Sequence, residues 1–131
     1  MQIRTIKVDD FQKLTEFWKE NYFLSEMDNS DHFSVFLEKN PDLSVLIEEN
    51  GEIIGTALGS YDGRRGYLQK VVTRKESRSK GIGMKLVSEV AKRLKDTGAI
   101  YIPICAEEEL MPFYEKCGFV KKDSISMTMD L

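Results

Sequence analysis

The chain has 131 residues, of which 41% are hydrophobic and 31% are charged, and its formal net charge is −3. This composition is typical of a globular protein and excludes disordered, fibrous and membrane-spanning classes, and the length predicts one domain, residues 1–131, around a single core. The acidic balance argues against a nucleic-acid partner, because proteins that bind nucleic acids usually carry a concentrated basic face.

The compartment and the metal content follow from what the sequence lacks. No apolar run approaches the roughly 18 residues of a membrane span, and residues 1–4 show no signal-peptide core, so we expect a cytoplasmic protein with no membrane partner. With His32 as the one histidine, no zinc set can be built and no metal is expected. Cys105 and Cys117 are expected to be reduced core thiols, although Cys105 could instead stand near a reacting centre.

The N-terminal third predicts a short strand followed by two helices. Residues 3–8 alternate as a strand does, and Asp9 with Gln12 resembles a capping box at the start of the first helix. Ser30 can cap the second helix, which Pro41 ends. The aromatic residues near the end of the first helix are Trp18, Tyr22 and Phe23. They either join the core or wall a substrate cleft.

The segment between these helices is acidic. Its acidic residues are Glu26, Asp28 and Asp31. A solvated loop is the ordinary explanation for such a segment. If the acids instead face a cleft, they would favour a cationic acceptor such as an amine.

A meander of three antiparallel strands is predicted next. The predicted strands are 43–48, 52–60 and 66–73, with turn signals at Asn50-Gly51 and Asp62-Gly63. A helix follows, with one apolar face from Ile82 to Leu94 and a cap at Gly98.

The C-terminal third predicts a strand over 100–105, a short helix over 107–116 and a last strand over 119–131. A right-handed crossover would lay strand 100–105 parallel to strand 66–73. Pro103 is an objection, since it has no ladder donor, unless the strand loses its neighbour there. The order of elements predicts an α+β fold in which helices pack on a mixed sheet.

The basic turn Arg78-Ser79-Lys80-Gly81-Ile82-Gly83 stands directly before the helix stripe. Free N–H groups in the first helical turn, and glycines that let an anion approach the backbone, suit a pyrophosphate. Arg78 and Lys80 add full charges, and Arg is able to grip phosphate oxygens in bidentate fashion. A surface turn with solvated bases is the alternative.

Other phosphate and nucleophile motifs fail on spacing. A dinucleotide fingerprint needs a third glycine where this chain has Leu86. No Walker loop and no Gly-x-Ser-x-Gly occur, and a single histidine leaves little material for a serine triad.

Two motifs in order resemble the GCN5-related N-acetyltransferases, the GNAT family. Val71-Val72-Thr73 followed by the basic turn resembles motif A of that family, and Pro112-Phe113-Tyr114-Glu115-Lys116-Cys117-Gly118-Phe119 resembles its Tyr-x-x-x-Gly-Phe segment. The stretch Tyr61-Asp62-Gly63-Arg64-Arg65-Gly66-Tyr67-Leu68 is similar to small bacterial members. The resemblance spans essentially the whole chain.

The resemblance implies a mostly antiparallel sheet whose parallel pair splays at the cofactor site, and acetyl-CoA as the acetyl donor. The implied acceptor is a small-molecule or peptide amine that attacks the thioester directly. A backbone N–H within 71–73 would stabilise the oxyanion, and Tyr114 would protonate the leaving thiolate, unless it is only a packing aromatic. The cofactor-binding residues implied are Val71, Val72, Thr73, Arg78, Ser79, Lys80, Gly81, Ile82, Gly83 and Met84.

Several points stay open at the level of the sequence. The candidate bases for the acceptor amine are Asp28, Asp31, His32, Glu107, and Gln69 acting through an ordered water. Glu107 stands where many family members carry Asn. A second function is a non-catalytic acyl-CoA-binding regulatory domain, and a third, a plain protein-interaction module, would require both motifs to be accidental. The last strand could leave a free edge or pair with a second copy, so the protein is expected to be a monomer or a homodimer.

Overall fold

A computed structural model describes residues 2–131, in which the chain forms four strands and four α-helices; Met1 lies outside the described residues. The strands are β1 (Gln2–Thr5), β2 (Val45–Glu49), β3 (Glu52–Tyr61) and β4 (Gly66–Thr73). The helices are α1 (Phe11–Asn21), α2 (Ser30–Lys39), α3 (Ile82–Thr97) and α4 (Met111–Lys116). The predicted α+β class is confirmed. None of the helices formed by residues 2–131 is long and apolar enough to cross a membrane.

The four strands form one antiparallel sheet in the order β1-β2-β3-β4. The predicted hairpin between β2 and β3 is confirmed. Asn50 and Gly51 both have positive φ, 54° and 80°, which is the geometry that a tight two-residue hairpin turn requires. β4 is the last strand in this order, so one of its edges faces away from the sheet.

Two apolar clusters cover the two faces of the sheet. On one face, α3 packs its predicted stripe on β2 and β3 through Ile82, Leu86, Val90 and Leu94. A Cβ built at Gly55 would lie 2.7 Å from Leu86 Cδ1, so the glycine lets α3 approach β3 closely. On the other face, α1 and α2 contribute Leu14, Phe17, Trp18 and Phe33. Trp18 is 1% exposed and belongs to this core.

The helix starts differ from the sequence prediction in detail. Asn29, not Ser30, caps α2, because its Oδ1 accepts the N–H of His32 at 2.9 Å. At the start of α1, Asp10 rather than Asp9 is the buried carboxylate. It accepts the Lys7 N–H at 2.7 Å and two N–H groups of Arg4 at 2.8 and 2.9 Å.

A bulge interrupts the pairing of β3 with β4. Thr56 pairs with Val72 and Leu58 with Gln69, so Ala57 alone faces the two residues Lys70 and Val71. The extra residue bends the strand and breaks the ladder locally. Lys70 adopts a φ of 49°, which is unusual for a residue other than glycine.

The parallel pair predicted between residues 100–105 and β4 does not form. Among the described residues, one backbone hydrogen bond reaches the outer edge of β4, from Gly66 N–H to the carbonyl of Tyr101 at 2.9 Å. Beyond that point the segment leaves β4. Pro103 has no N–H to donate to a ladder, and Ile100 is 96% exposed.

The predicted last strand, residues 119–131, is also not a strand in the structure. Its alternating apolar residues are exposed: Ile125, Met127, Met129 and Leu131. An alternating pattern forms a strand when a neighbouring strand supplies hydrogen-bond partners, and segment 100–105 supplies no ladder. The two segments do meet where Cys105 Sγ lies 3.4 Å from Ser126 Oγ.

Candidate active site

The basic turn of the sequence connects β4 to α3 and leaves the start of α3 open. Gly81 caps the helix in the left-handed conformation, with a φ of 80°, and a Cβ built there would meet nothing within 4 Å. The bond from Lys85 N–H to the carbonyl of Gly81, at 3.1 Å, is the first of the helical ladder. The N–H groups of Ile82, Gly83 and Met84 precede it, so they are free to bind an anion.

Arg78 fixes the turn in place. Its Nε donates to the Thr73 carbonyl at 3.2 Å, and its Nη2 donates to the carbonyl of Asn21, at the end of α1, at 3.0 Å. The Asn21 side chain also accepts the Lys75 N–H at 3.1 Å. These two guanidinium nitrogens are therefore engaged with the backbone, whereas Ser79 and Lys80 are exposed at the mouth of the turn.

The predicted reacting end of β4 lies at an open sheet edge. Val72 is buried in the core, while Val71 and Thr73 are half-buried. From Leu68 to Thr73, the outer edge of β4 has no backbone hydrogen-bond partner within residues 2–131. Backbone donors at this edge are therefore available to a ligand, although in the described part of the chain no splayed parallel pair creates the opening.

The Tyr-x-x-x-Gly-Phe segment packs directly on the start of α3. A Cβ built at Gly83 would lie 3.0 Å from Phe113 Cζ and 3.5 Å from Thr73 Oγ1. Glycine at this position lets three elements meet: the end of β4, the first turn of α3, and α4. The two motifs that are separate in the sequence thus lie side by side in the structure.

Tyr114 lies in an aromatic group at this site. The centre of its ring lies 4.9 Å from the ring centre of Phe113 and 5.6 Å from that of Phe119, and both pairs pack edge to face. Burial raises the pKa of the Tyr114 hydroxyl above its ordinary value of 10.0, with smaller contributions from the nearby Cys117 and Tyr22. The phenol therefore keeps its proton at neutral pH, as a proton donor must.

Comparison with known proteins shows the family of the chain. The model of the acetyltransferase (GNAT) family matches residues 8–119. The chain belongs to this family. An acetyltransferase from Pectobacterium atrosepticum is 30% identical to this GNAT chain, and the alignment covers 97% of the chain and 93% of the relative.

Solved GNAT structures share the fold. Glucosamine-6-phosphate N-acetyltransferase from Arabidopsis thaliana superimposes with a TM-score of 0.77 at 23% identity, over 98% of this chain and 97% of that one. A predicted acetyltransferase from Clostridium acetobutylicum, solved with acetyl-CoA, has a TM-score of 0.79 at 20% identity, over 98% and 95% of the two chains.

The structure places the other candidate residues of this GNAT acetyltransferase in different surroundings. Asp28 accepts from Ser25 N–H at 2.8 Å and from Lys70 Nζ at 3.0 Å. His32 Nδ1 lies 2.6 Å from Asn29 Nδ2. Asp31, Gln69 and Glu107 are exposed. A hydrogen bond with Glu109 raises the pKa of Glu107.

The cysteines depart from the expectation of two core thiols. Both are free, but Cys105 is exposed, because it lies on segment 100–105, which joins no sheet. Cys117 is half-buried at the end of α4, and burial raises the pKa of its thiol. Cys117 is thus the thiol near Tyr114.

Lys70 was missed by the sequence analysis. Its ammonium lies 3.0 Å from Asp28 Oδ2 and 3.1 Å from the carbonyl of Phe23. It also stands within 5.0 to 5.3 Å of the ring centres of Trp18, Tyr22 and Phe23. Nothing in the local pattern marks this lysine, because its position depends on the bulge of β4.

Proposed function

We propose that this GNAT acetyltransferase transfers the acetyl group of acetyl-CoA to a primary amine by direct attack. The observation that carries the proposal is the contact of Phe113 with Gly83 beside Thr73. This contact brings together a helix start with free N–H groups, an open strand edge and the helix that carries Tyr114. Each of them answers one requirement of acyl transfer from a CoA thioester.

The start of α3 would bind the pyrophosphate of acetyl-CoA. Its free N–H groups and the positive end of the helix favour an anion, and Gly81 leaves room for the anion to reach them. Lys80 would add a full charge at the mouth of the turn. Arg78 would act mainly by holding the turn in shape, since two of its nitrogens donate to carbonyls.

The transfer itself would take place at the outer edge of β4. The amine nitrogen attacks the thioester carbon, and the carbonyl electron pair moves to oxygen, where a backbone N–H within 71–73 stabilises the negative charge. When the intermediate collapses, the carbon–sulfur bond breaks and the thiolate takes the proton of Tyr114. The amine loses one proton to water in forming the amide, and a proton from water restores the Tyr114 hydroxyl, so the net products are the amide and the CoA thiol. Asp28 is not proposed as the base, since its carboxylate already accepts the ammonium of Lys70.

Binding of the donor is tested by thermal melting with acetyl-CoA. We expect acetyl-CoA to raise the Tm of the wild type and Gly81→Glu to abolish the shift, because a carboxylate would fill the anion site. Gly63→Glu is the matched control, since Gly63 also has a positive φ and open space but lies at the opposite end of β4. A wild type that no CoA species stabilises would contradict the proposal.

Turnover is tested by a mass-spectrometric acceptor screen with acetyl-CoA, using polyamines, aminoglycosides, amino acids and peptide N-termini. We expect an acetylated product and equimolar release of free CoA thiol with at least one of these amines. Stabilisation by acetyl-CoA without thiol release from any amine would instead favour a non-catalytic acyl-CoA-binding regulatory domain.

A further inference from the structure

Lys70 joins two parts of the chain that lie 42 positions apart, β4 and the loop of residues 22–29 between α1 and α2. Its backbone is the extra residue of the bulge, with a φ of 49°. That conformation is unfavourable for a residue with a Cβ and persists where the surroundings stabilise it. The surroundings that stabilise it include a hydrogen bond from the Thr56 hydroxyl to the Lys70 carbonyl and the contacts of the Lys70 side chain.

The ammonium of Lys70 is enclosed on several sides by this loop and the end of α1. Asp28 and the Phe23 carbonyl accept its hydrogen bonds, and three aromatic rings surround it at cation–π distance. The side chains of Lys70 and Asp28 are 12% and 11% exposed. By contrast, Lys92 and Asp96 also lie 3.0 Å apart, but their side chains are 70% and 63% exposed. The first pair is shielded from water, and the second is an ordinary surface pair.

Asp28 in turn closes the loop on itself. Its Oδ2 accepts the N–H of Ser25 at 2.8 Å and the hydroxyl of Ser25 at 3.2 Å. The same oxygen therefore fixes the loop backbone and receives the ammonium. Removing the ammonium would leave a shielded carboxylate without its counter-charge.

The loop held in this way borders the proposed reaction site. Lys70 directly precedes Val71, where the oxyanion donors are proposed to begin. The ring centre of Tyr22 lies 5.3 Å from the ammonium, and Tyr22 also makes a small contribution to the raised pKa of Tyr114. Tyr22 and Phe23 are each 54% exposed, so they present apolar surface beside the ammonium of Lys70.

We propose that Lys70 is a positioning residue for acyl transfer, which holds the 22–29 loop against the bulge of β4 and so forms the acceptor side of the site. This inference rests on the proposed function. Lys70 touches neither the donor nor the reacting atoms, and it acts through Asp28 and Tyr22. The turn before α3, on the proposed acetyl-CoA side, is held instead by the bonds of Arg78 and Lys75 to Asn21.

The test compares Lys70→Met, Lys70→Arg and wild type, with Lys92→Met as the matched control. Hydrogen–deuterium exchange of residues 22–29 reports whether the loop is held, and isothermal titration with acetyl-CoA reports the donor site. Steady-state kinetics use the amine from the screen that gives the highest rate. Thermal melting shows that each variant is folded.

We expect Lys70→Met to speed exchange in residues 22–29 at least tenfold and to change the acetyl-CoA Kd less than twofold. Its kcat/KM for the amine should fall at least tenfold, mainly through the KM of the amine. In Lys70→Arg, the exchange rate of residues 22–29 and the kcat/KM for the amine should both lie within about threefold of wild type, because Arg keeps the charge and the cation–π contacts. Lys92→Met should resemble wild type in all measurements.

Unchanged exchange in residues 22–29 of Lys70→Met would overturn the proposal. It would also be overturned if the acetyl-CoA Kd rose by as large a factor as the kcat/KM for the amine fell. If Lys70→Met did not fold, Lys70→Arg and Asp28→Asn would decide through the same exchange measurement, with faster loop exchange expected in Asp28→Asn alone. If the wild type bound acetyl-CoA but acetylated no amine, the proposed function would fail. The exchange of the loop would still decide whether Lys70 holds it.

Discussion

The hydroxyl of Thr56 donates a hydrogen bond of 2.8 Å to the carbonyl of Lys70. The same hydroxyl accepts the indole N–H of Trp18 at 3.0 Å, and Thr56 is fully buried. One side chain thus links α1 to the bulge of β4. The shape of the proposed reaction site therefore depends on a polar contact inside the core.

Thr56→Val should lower the free energy of unfolding by about 2–4 kcal/mol, because it leaves a buried indole N–H and a partly buried carbonyl without their partner. Thr56→Ser keeps the hydroxyl and should cost about 1 kcal/mol for the lost methyl group. Urea denaturation measures both free energies of unfolding. Equal losses in the two variants would show that the hydroxyl does not matter.

Tyr114→Phe should lower kcat by about 10²–10³-fold, because a positioned general acid contributes that order of rate. The Kd for acetyl-CoA should stay unchanged, since the hydroxyl is proposed to act on the leaving thiolate. Tyr67→Phe removes a hydroxyl that bonds to Asp62, in the turn at the other end of β4, and serves as the control.

The raised pKa of Tyr114 predicts how kcat depends on pH. The pKa of Tyr114 is raised above 10.0, so the phenol is protonated, and able to donate, at every pH below that value. The kcat of the wild type should therefore show no falling limb from this group below pH 10. A falling limb near pH 8 that disappears in Tyr114→Phe would contradict the assignment.

Arg78 and Lys80 should differ when each is replaced by Ala. Arg78→Ala removes two hydrogen bonds to carbonyls and should cost about 1–2 kcal/mol of stability. Lys80→Ala should leave stability within about 0.5 kcal/mol of wild type. It should instead raise the acetyl-CoA Kd at low salt, and salt should reduce the difference because it screens exposed charges. Lys95→Ala, at the other end of α3, is the control.

Asp10 should govern part of the acid sensitivity of the fold. A hydrogen bond from Arg4 lowers the pKa of this carboxyl below its ordinary value of 3.8, and burial opposes the shift. The charged carboxylate therefore stabilises the folded state fully above the unfolded pKa, and this contribution is lost as the pH falls through the lower folded pKa.

Asp10→Asn should lower the free energy of unfolding by about 2–3 kcal/mol at pH 7. The loss should be smaller than for breaking a fully buried ion pair, because Arg4 is partly exposed. The difference from wild type should shrink as the pH falls below 3.8. Urea denaturation at several pH values measures it, with the exposed Asp9→Asn as control. A difference that stays constant down to pH 2 would exclude this ionisation as the cause.

Local signals in the sequence were enough for the parts of the fold that depend on neighbouring residues. Asn50-Gly51 predicts its hairpin because both residues tolerate a positive φ. The apolar stripe of α3 and the glycines before it predict a helix whose start can bind an anion. These features depend on neighbouring residues alone. They are the reason that the sequence could predict motif A at the connection of β4 to α3 and the tyrosine motif on a short helix.

The tertiary structure decided the features that depend on distant partners. Strand patterns over 100–105 and 119–131 did not become strands, because a ladder needs a neighbour and Pro103 cannot donate to one. The bulge that turns Lys70 towards Asp28 follows from the register of β3 against β4, which no local pattern of β4 reveals. The sequence alone therefore determined the helix start at which the acetyl donor is proposed to bind, and only the packing of α1, its loop and β4 determined how the 22–29 loop is held.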